Sequence, residues 1–442
     1  MNCSYSNLLK ITLPIFSFLL IENIIAFTDT AFLGRVNETQ LAAASIGSLY
    51  YVCIFIVGFG FSVGTQILIS HRNGEANYDK IGSLFSSSLY FLVIMAIASF
   101  SFTEIFGKYL FSQMVSSQDF LTEVHRYIKW RQWGFFAIFA VIAYRSLYVG
   151  IAQTKVLAYS SWVMGIVNFI LNYALIFGKC GMPKMEIEGA ALASTISEFT
   201  ALALFICYTR LRLNRKKYKL SFRQIDISEI IKVLRLSSWT MLQQFVYVVM
   251  WMLLFAFIER FGQHQLAQSN IIKSVLMFVY MPMYAFGATM NTVTGNLLGE
   301  NRLKEIPKVC KRIIALEYMM IVPALVILYA FPITILCVYT DDMSILEDIK
   351  PAFFCSLFSV IFALPSYTLS NLILGFGKTK ATFIMELIAL FIYIAMLYFT
   401  VYILNNFPFI WTLDAWYWII LICFNVVYIK YIGRLFSKRP TN

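Results

Sequence analysis

The residues best placed to do chemistry are polar groups inside apolar stretches, and the first of them is Asp29. It lies in Leu8 to Gly34, an apolar run that also holds Glu22 seven positions earlier. Seven residues are two helical turns, so the two carboxylates share one face. Asn168 and Asn172 share a face at i, i+4 spacing within Val156 to Gly178, and Ser194 and Thr195 sit in a third run, Gly189 to Thr209. Counting inward from Gly34, Gly178 and Gly189 at 1.5 Å per residue puts Asp29, Asn172 and Thr195 about 8 to 9 Å below one boundary. Ser194 lies beside them and Asn168 one turn deeper. A carboxylate, two amide oxygens and a hydroxyl suit a small hard cation such as Na⁺, with Asp29, Asn168 and Asn172 as its ligands; a desolvated carboxylate equally accepts a proton. The same groups can also act as hydrogen bonds between helices. Glu22 divides between ion coupling, a wet cavity and a structural bond. Glu198, Glu317 and Glu386 have no partners at a common level and read as packing or interhelical bonds.

The elements that must position these groups are membrane spans. Of 442 residues 60% are hydrophobic and 13% charged, with mean hydropathy +0.73, which excludes a soluble globular enzyme. Charge-free runs long enough to cross about 30 Å of hydrocarbon are Thr39 to Ser70, Ile81 to Thr103, Val156 to Gly178, Leu236 to Ile258, Ser274 to Gly299, Tyr318 to Thr340, Pro351 to Gly377 and Leu387 to Leu413. Four more tolerate a polar residue or a shorter length: Leu8 to Gly34, Gln132 to Ala152, Gly189 to Thr209 and Ala415 to Ile432. The expected fold is all-α, with twelve transmembrane helices.

The net charge of +12 is spread over connectors and forms no basic domain, so nucleic acid is not an expected partner. Alternate connectors hold 24 Lys or Arg against nine on the opposite side, Arg131 among the nine and Arg145 among the 24. The basic set, with both termini, is therefore cytoplasmic. The first helix is too long and too acidic for a cleavable signal. Eight scattered cysteines form no C-x-x-C pair and read as small core residues.

An internal repeat organises the chain. Arg35 to Ile46 (RVNETQLAAASI) matches Arg260 to Ile271 (RFGQHQLAQSNI) at an offset of 225 residues. The same offset relates Gly74-Glu75 to Gly299-Glu300, and Gly150-x-x-x-Thr154-Lys155 to Gly375-x-x-x-Thr379-Lys380. Six spans is an even number, so the halves, 1–209 and 235–442, run parallel about an axis along the membrane normal. A basic linker, 210–234, joins them and can touch anionic lipid. The repeat puts Tyr247 where Glu22 stands, Leu254 for Asp29, Tyr393 for Asn168, Leu397 for Asn172 and Cys423 for Glu198. The expectation is a polar cluster in the first half alone.

Five segments together resemble the multidrug and toxic compound extrusion (MATE) family: Phe27 to Gly34 (FTDTAFLG), Leu41 to Ala44 (LAAA), Gly74 to Asn77 (GEAN), Asn168 to Gly178 (NFILNYALIFG) and Gly189 to Thr195 (GAALAST). The resemblance implies a V-shaped pair of six-helix bundles in the cell inner membrane, a monomer that exports amphipathic or cationic organic compounds in exchange for H⁺ or Na⁺ and needs no other cofactor. By motif it implies that Asp29 is the coupling carboxylate, Pro14 a bending proline or hinge, and Asn168 a cation-site amide. The family's sixth-helix threonine falls at Ser194 or Thr195, and Tyr127 resembles a tyrosine near the pocket. Relatives often carry an aspartate where Asn172 stands, so this site is less negative. The acids that some relatives place on spans seven and ten are absent, which directs coupling to the first half.

Other classes fit less well. A lipid-linked oligosaccharide flippase of the same superfamily would favour a cationic cavity, and the major facilitator Gly-Asp-Arg loop is missing after span two. A membrane enzyme lacks His-Glu-x-x-His or paired aspartates. Gly377-Lys-Thr379 lacks the earlier P-loop glycine, and Gly58-x-Gly60-x-x-x-Gly64 reads as close helix packing.

Overall fold

The computed structural model describes residues 3–114, 117–220, 225–340 and 342–437. Arg223 of the basic linker and Lys438 and Arg439 of the tail lie outside them. The helices are α1 (Tyr5–Leu33), α2 (Glu38–Gly74), α3 (Asp79–Met114), α4 (Gln118–Arg131), α5 (Gly134–Gly150), α6 (Lys155–Phe177), α7 (Ile187–Arg212), α8 (Ile227–Ile258), α9 (Gln263–Gly299), α10 (Ile306–Ala330), the short α11 (Pro332–Leu336) and α12 (Met343–Asp348), α13 (Lys350–Gly375), α14 (Thr379–Phe399) and α15 (Phe407–Ser437). Among the described residues eleven elements are long and apolar enough to span a membrane, and α4 with α5, bent by 48°, counts as a twelfth when taken as one broken span.

That twelfth span differs from the expected Gln132 to Ala152. The outer segment before it, read from its charges as a connector, is the amphipathic α4, which buries Val124, Tyr127, Ile128 and Arg131 at helical spacing. Arg131 and Arg145, counted with the connectors, are buried at 9% and 3% exposure.

The chain divides into two compact units, Leu13–Met241 and Met1–Thr12 with Leu242–Asn442. Both boundaries cut through a helix, α1 just before Pro14 and α8 at Met241, instead of falling at the ends of the basic linker. In the first unit the almost fully buried α5 packs on α2, α3 and α7. In the second, α13 packs on α9, α10 and α15 around Phe353, Leu357 and Trp411.

The 225-residue offset recurs atom by atom. A Cβ on Gly150 would come within 2.7 Å of Ile69 and 3.1 Å of the Gln66 carbonyl; on Gly375 it would meet Thr294 at 2.6 Å and the Asn291 carbonyl at 2.7 Å. Gln66 and Ile69 are the repeat counterparts of Asn291 and Thr294, so both glycines exist to let a central helix touch its neighbour's backbone. The repeated motifs are helix C-caps. Asn77 donates to the Arg72 carbonyl, Gln153 to Tyr148, Arg302 to Leu297 and Lys378 to Ile373, with Ala76, Ala152, Asn301 and Gly377 at φ of 55°, 57°, 57° and 74°. These are Schellman turns, whose left-handed residue frees the chain from the helix.

The first part of α8 lies against the small residues of α2. Gly60 meets the Met241 backbone, Gly64 meets Ser237, and Thr240 donates to the Gly60 carbonyl at 2.8 Å. In the other unit the matching positions are Thr12 and Thr289, whose hydroxyls bond at 2.8 Å. The close packing read from Gly58-x-Gly60-x-x-x-Gly64 is present.

Gly150→Val and Gly375→Val should each lower stability by about 1 to 3 kcal/mol through overpacking. Ala152→Gly, which relieves a left-handed alanine, should raise it by up to about 1 kcal/mol. Thermal unfolding of the detergent-solubilised protein reads both signs; a Gly150→Val form that melts with the wild type would contradict the packing.

Candidate functional site

Three helices of the Leu13–Met241 unit converge on Asp29, as their lengths require. The Asp29 side chain is half-buried on α1, whereas Asn168 and Asn172 on α6 are fully buried. Asn172 Nδ2 donates to Asp29 Oδ1 at 2.5 Å and to Asn168 Oδ1 at 3.0 Å. Ser194 Oγ, from α7, donates to Asp29 Oδ2 at 2.8 Å and accepts from Asn168 Nδ2 at 3.1 Å. The four side chains close a ring in which both carboxylate oxygens accept from neutral donors. The buried Asn172 Oδ1 has no partner, so this amide can present its oxygen inward by turning over.

The remaining expected residues fall around this ring without joining it. Thr195 points away and donates to the Trp130 carbonyl at 3.1 Å, so Ser194 supplies the hydroxyl. Successive helical residues differ by about 100° in direction, and level alone could not separate the two. Tyr127 shares a hydrogen bond of 2.9 Å with Ser48. Glu22 makes no hydrogen bond among the described residues and faces the electrostatic influence of Arg145 and Glu198.

Glu22, Asp29, Tyr127, Arg131, Ser194 and Glu198 all line one cavity of about 390 Å³, open on one side and otherwise walled by apolar residues such as Ile25, Phe55 and Met164. Sequence reasoning missed a second feature of this cavity, a buried ion pair. Arg131 donates through Nη2 to Glu198 Oε1 at 2.6 Å and through Nη1 to Oε2 at 3.0 Å. Tyr51 donates to the same Oε2 at 2.8 Å, and its ring lies 3.5 Å from the guanidinium carbon. Gly134 makes room: a Cβ there would fall 2.4 Å from Arg131 Nη1 and 2.5 Å from Glu198 Oε2. The signal was available, since Arg131 continues the Val124, Tyr127, Ile128 face of α4. With Arg131 committed to Glu198, Asp29 and Glu22 are left without an ion-pair partner among the described residues.

Outside the span, Glu186 pairs with Lys184 at 2.8 Å and accepts from Gln40 at 2.7 Å. The Lys184 contact, then Gln40, holds its carboxyl below the usual glutamate range. A depressed carboxylate stabilises the fold at neutral pH, and that contribution fades as acidification protonates it.

The second unit carries polar groups too, contrary to the expectation of a cluster in the first half alone. Gln243 Nε2 donates to Glu386 Oε1 at 2.5 Å, Tyr393 to Asp414 Oδ1 at 3.0 Å, and Thr368 to Glu317 Oε1 at 2.7 Å. Asp414 was overlooked because the sequence run starts at Ala415, whereas α15 starts at Phe407 and buries Asp414 to 7% exposure.

The sequence profile of the MatE family matches residues 14–174 and 240–399, so the second match ends 225 residues after the first. The chain is 22% identical over 391 residues to a probable multidrug resistance protein NorM of Thermotoga maritima, covering 87% of this chain and 82% of that one. A probable multidrug resistance protein YoeA of Bacillus subtilis is 21% identical over 310 residues, covering 69% and 67%. Among solved structures, the outward-facing form of a multidrug resistance MATE family transporter superposes with a TM-score of 0.88 at 16% identity, covering 99% of this chain and 97% of that one. A MATE structure in complex with MaL6 gives 0.87 at 15%, covering 97% of each.

Removing one partner of the buried pair should be costly. Arg131→Ala strands Glu198 and should lose about 3 to 5 kcal/mol, whereas Arg131→Met with Glu198→Leu should recover most of it. Equal melting temperatures for the single and double variants would refute the pairing.

Proposed function

Because the chain belongs to the MatE family, we propose that it is a membrane antiporter that exports amphipathic or cationic organic compounds, drugs and toxins among them, in exchange for H⁺ or Na⁺. Its setting is the inner membrane, with both termini in the cytoplasm, and a single chain is the working unit. The observation that carries the coupling assignment is the ring around Asp29. A carboxylate inside a membrane protein is costly unless neutralised or paired. Here its two oxygens meet only neutral donors, Asn172 Nδ2 and Ser194 Oγ, beside an open cavity. Such a group changes its hydrogen bonds when it takes up a proton or a cation.

In this reading the ion enters the cavity and displaces or reorders the Asn172 and Ser194 bonds. Asn168 backs Asn172, Glu22 supplies a second acidic group two turns away along α1, and Tyr127 lines the wall. Pro14 is the hinge. It removes one hydrogen bond from α1 two turns before Glu22, so a change around Asp29 can be transmitted along the same helix. The relatives' names as multidrug resistance proteins support the class of cargo.

Asp29→Asn should abolish ion-coupled efflux in proteoliposomes with expression and folding intact, and transport at the wild-type rate would remove the site. Glu22→Gln should shift the pH dependence of the rate, and a wild-type pH profile would assign Glu22 to structure. Uptake of an organic cation into inverted vesicles, under a sodium gradient and separately under a pH gradient, distinguishes the two ions.

A further inference from the structure

We propose that the Leu242–Asn442 part of the fold holds a second binding site, an aromatic chamber with two carboxylates that takes a lipophilic organic cation. The inference rests on the exporter reading above and says where the cargo binds.

The chamber stands at the repeat counterpart of the Asp29 ring with its chemistry exchanged. Tyr247 occupies the place of Glu22 and Tyr393 that of Asn168. In the first unit the fifth span of the bundle, α6, is joined to the sixth, α7, by the Asn168–Ser194 bond; in the second, α14 is joined to α15 by the Tyr393–Asp414 bond. The acid has moved from the first helix of its bundle to the last.

Three observations point to an absent positive charge. First, neither Glu386 nor Asp414 has a Lys, Arg or His partner among the described residues. Each accepts one neutral hydrogen bond, from Gln243 and Tyr393, and its other oxygen has none. Glu198, by contrast, has Arg131. Second, Tyr417 is 8% exposed, and its hydroxyl makes no hydrogen bond among the described residues, although it lies within electrostatic range of Glu386, Tyr247 and Asp414. A phenol with no hydrogen-bond partner, within electrostatic reach of two carboxylates, has its oxygen free to meet a ligand. Third, the surroundings are rings. Tyr417 stands edge-on to Tyr393 at 5.8 Å and to Trp418 at 5.1 Å; Tyr247 bonds Tyr284 hydroxyl to hydroxyl at 2.9 Å, and Tyr284 meets Tyr367 at 5.4 Å.

Aromatic faces attract large, weakly hydrated cations. A small metal ion needs several ligands converging at short range, and among the described residues no group of three or more Asp, Glu, His or Cys side chains does so. Tyr247 is 41% exposed whereas Asp414 is buried to 7%, so the cluster runs from an accessible ring to a buried acid. The ligand that fits is a flat or quaternary organic cation, its rings against tyrosines and its charge against Asp414 and Glu386.

Equilibrium binding of tetraphenylphosphonium to the purified full-length chain in detergent tests this. Asp414→Asn keeps an acceptor for Tyr393 and removes the charge, and it should weaken binding about tenfold. Tyr417→Phe removes a single oxygen and should weaken it severalfold, and it carries the test should Asp414→Asn not elute as a folded species. Glu317→Gln, in the same unit and bonded to Thr368, should bind as the wild type does. Wild-type affinity in both Tyr417→Phe and Glu386→Gln would overturn the chamber while leaving the exporter reading intact. A wild-type protein that binds no organic cation would overturn both.

Discussion

A carboxylate held away from water is expensive, and most of what is distinctive in this molecule is a response to that cost. Four of the acids inside the spans show the different ways it is met. Glu198 is fully compensated: Arg131 grips both oxygens, Tyr51 adds a third bond, and Gly134 gives up its side chain so that the group can close. Such a pair gives little net stability but is strongly missed when half of it is removed. Asp29 is compensated only by neutral donors, and so is Asp414. Glu317 has one threonine and an orphaned second oxygen. The contrast separates a fastening from groups left responsive to an arriving charge.

Much of this could be read from the order of residues. Span lengths follow from the thickness of hydrocarbon, and helical rise brings Asp29, Asn172 and the Ser194-Thr195 pair to a common depth with Asn168 one turn deeper. Rotation about the helix axis is what such counting lacks. It leaves Ser194 and Thr195 indistinguishable, although only one faces Asp29. Charge misled in a different way. Arg131 and Arg145 look like surface residues by type, yet each is buried, Arg131 against Glu198 and Arg145 over the Phe59 ring at 4.9 Å. Asp414 shows a third failure, since a rule that ends spans at charged residues excludes the residue that matters most on α15.

The repeat proved more informative than its sparse identities suggest. A shared offset of 225 residues recovers the same glycine contacts, the same helix-ending turns and the same packing of a leading helix on small residues in both halves. What was duplicated is backbone geometry. The side chains aimed into each bundle then diverged, toward amides and a hydroxyl on one side and toward phenols on the other. A scaffold fixed by glycine and C-cap contacts leaves its interior positions free to change chemistry without disturbing the helices.

The unit boundaries within α1 and α8 have a consequence for how the chain is made. Residues 13–241 complete one unit once Met241 has emerged from the ribosome. The residues up to Thr12 belong with segments synthesised after Met241, and Thr12 finds Thr289 only after a further stretch of translation. Its N-terminal turns must therefore wait, unmated, through the synthesis of more than half the polypeptide. Assembly has an order written into it: the bundle begun second cannot be closed until a turn made well before it is brought back into use.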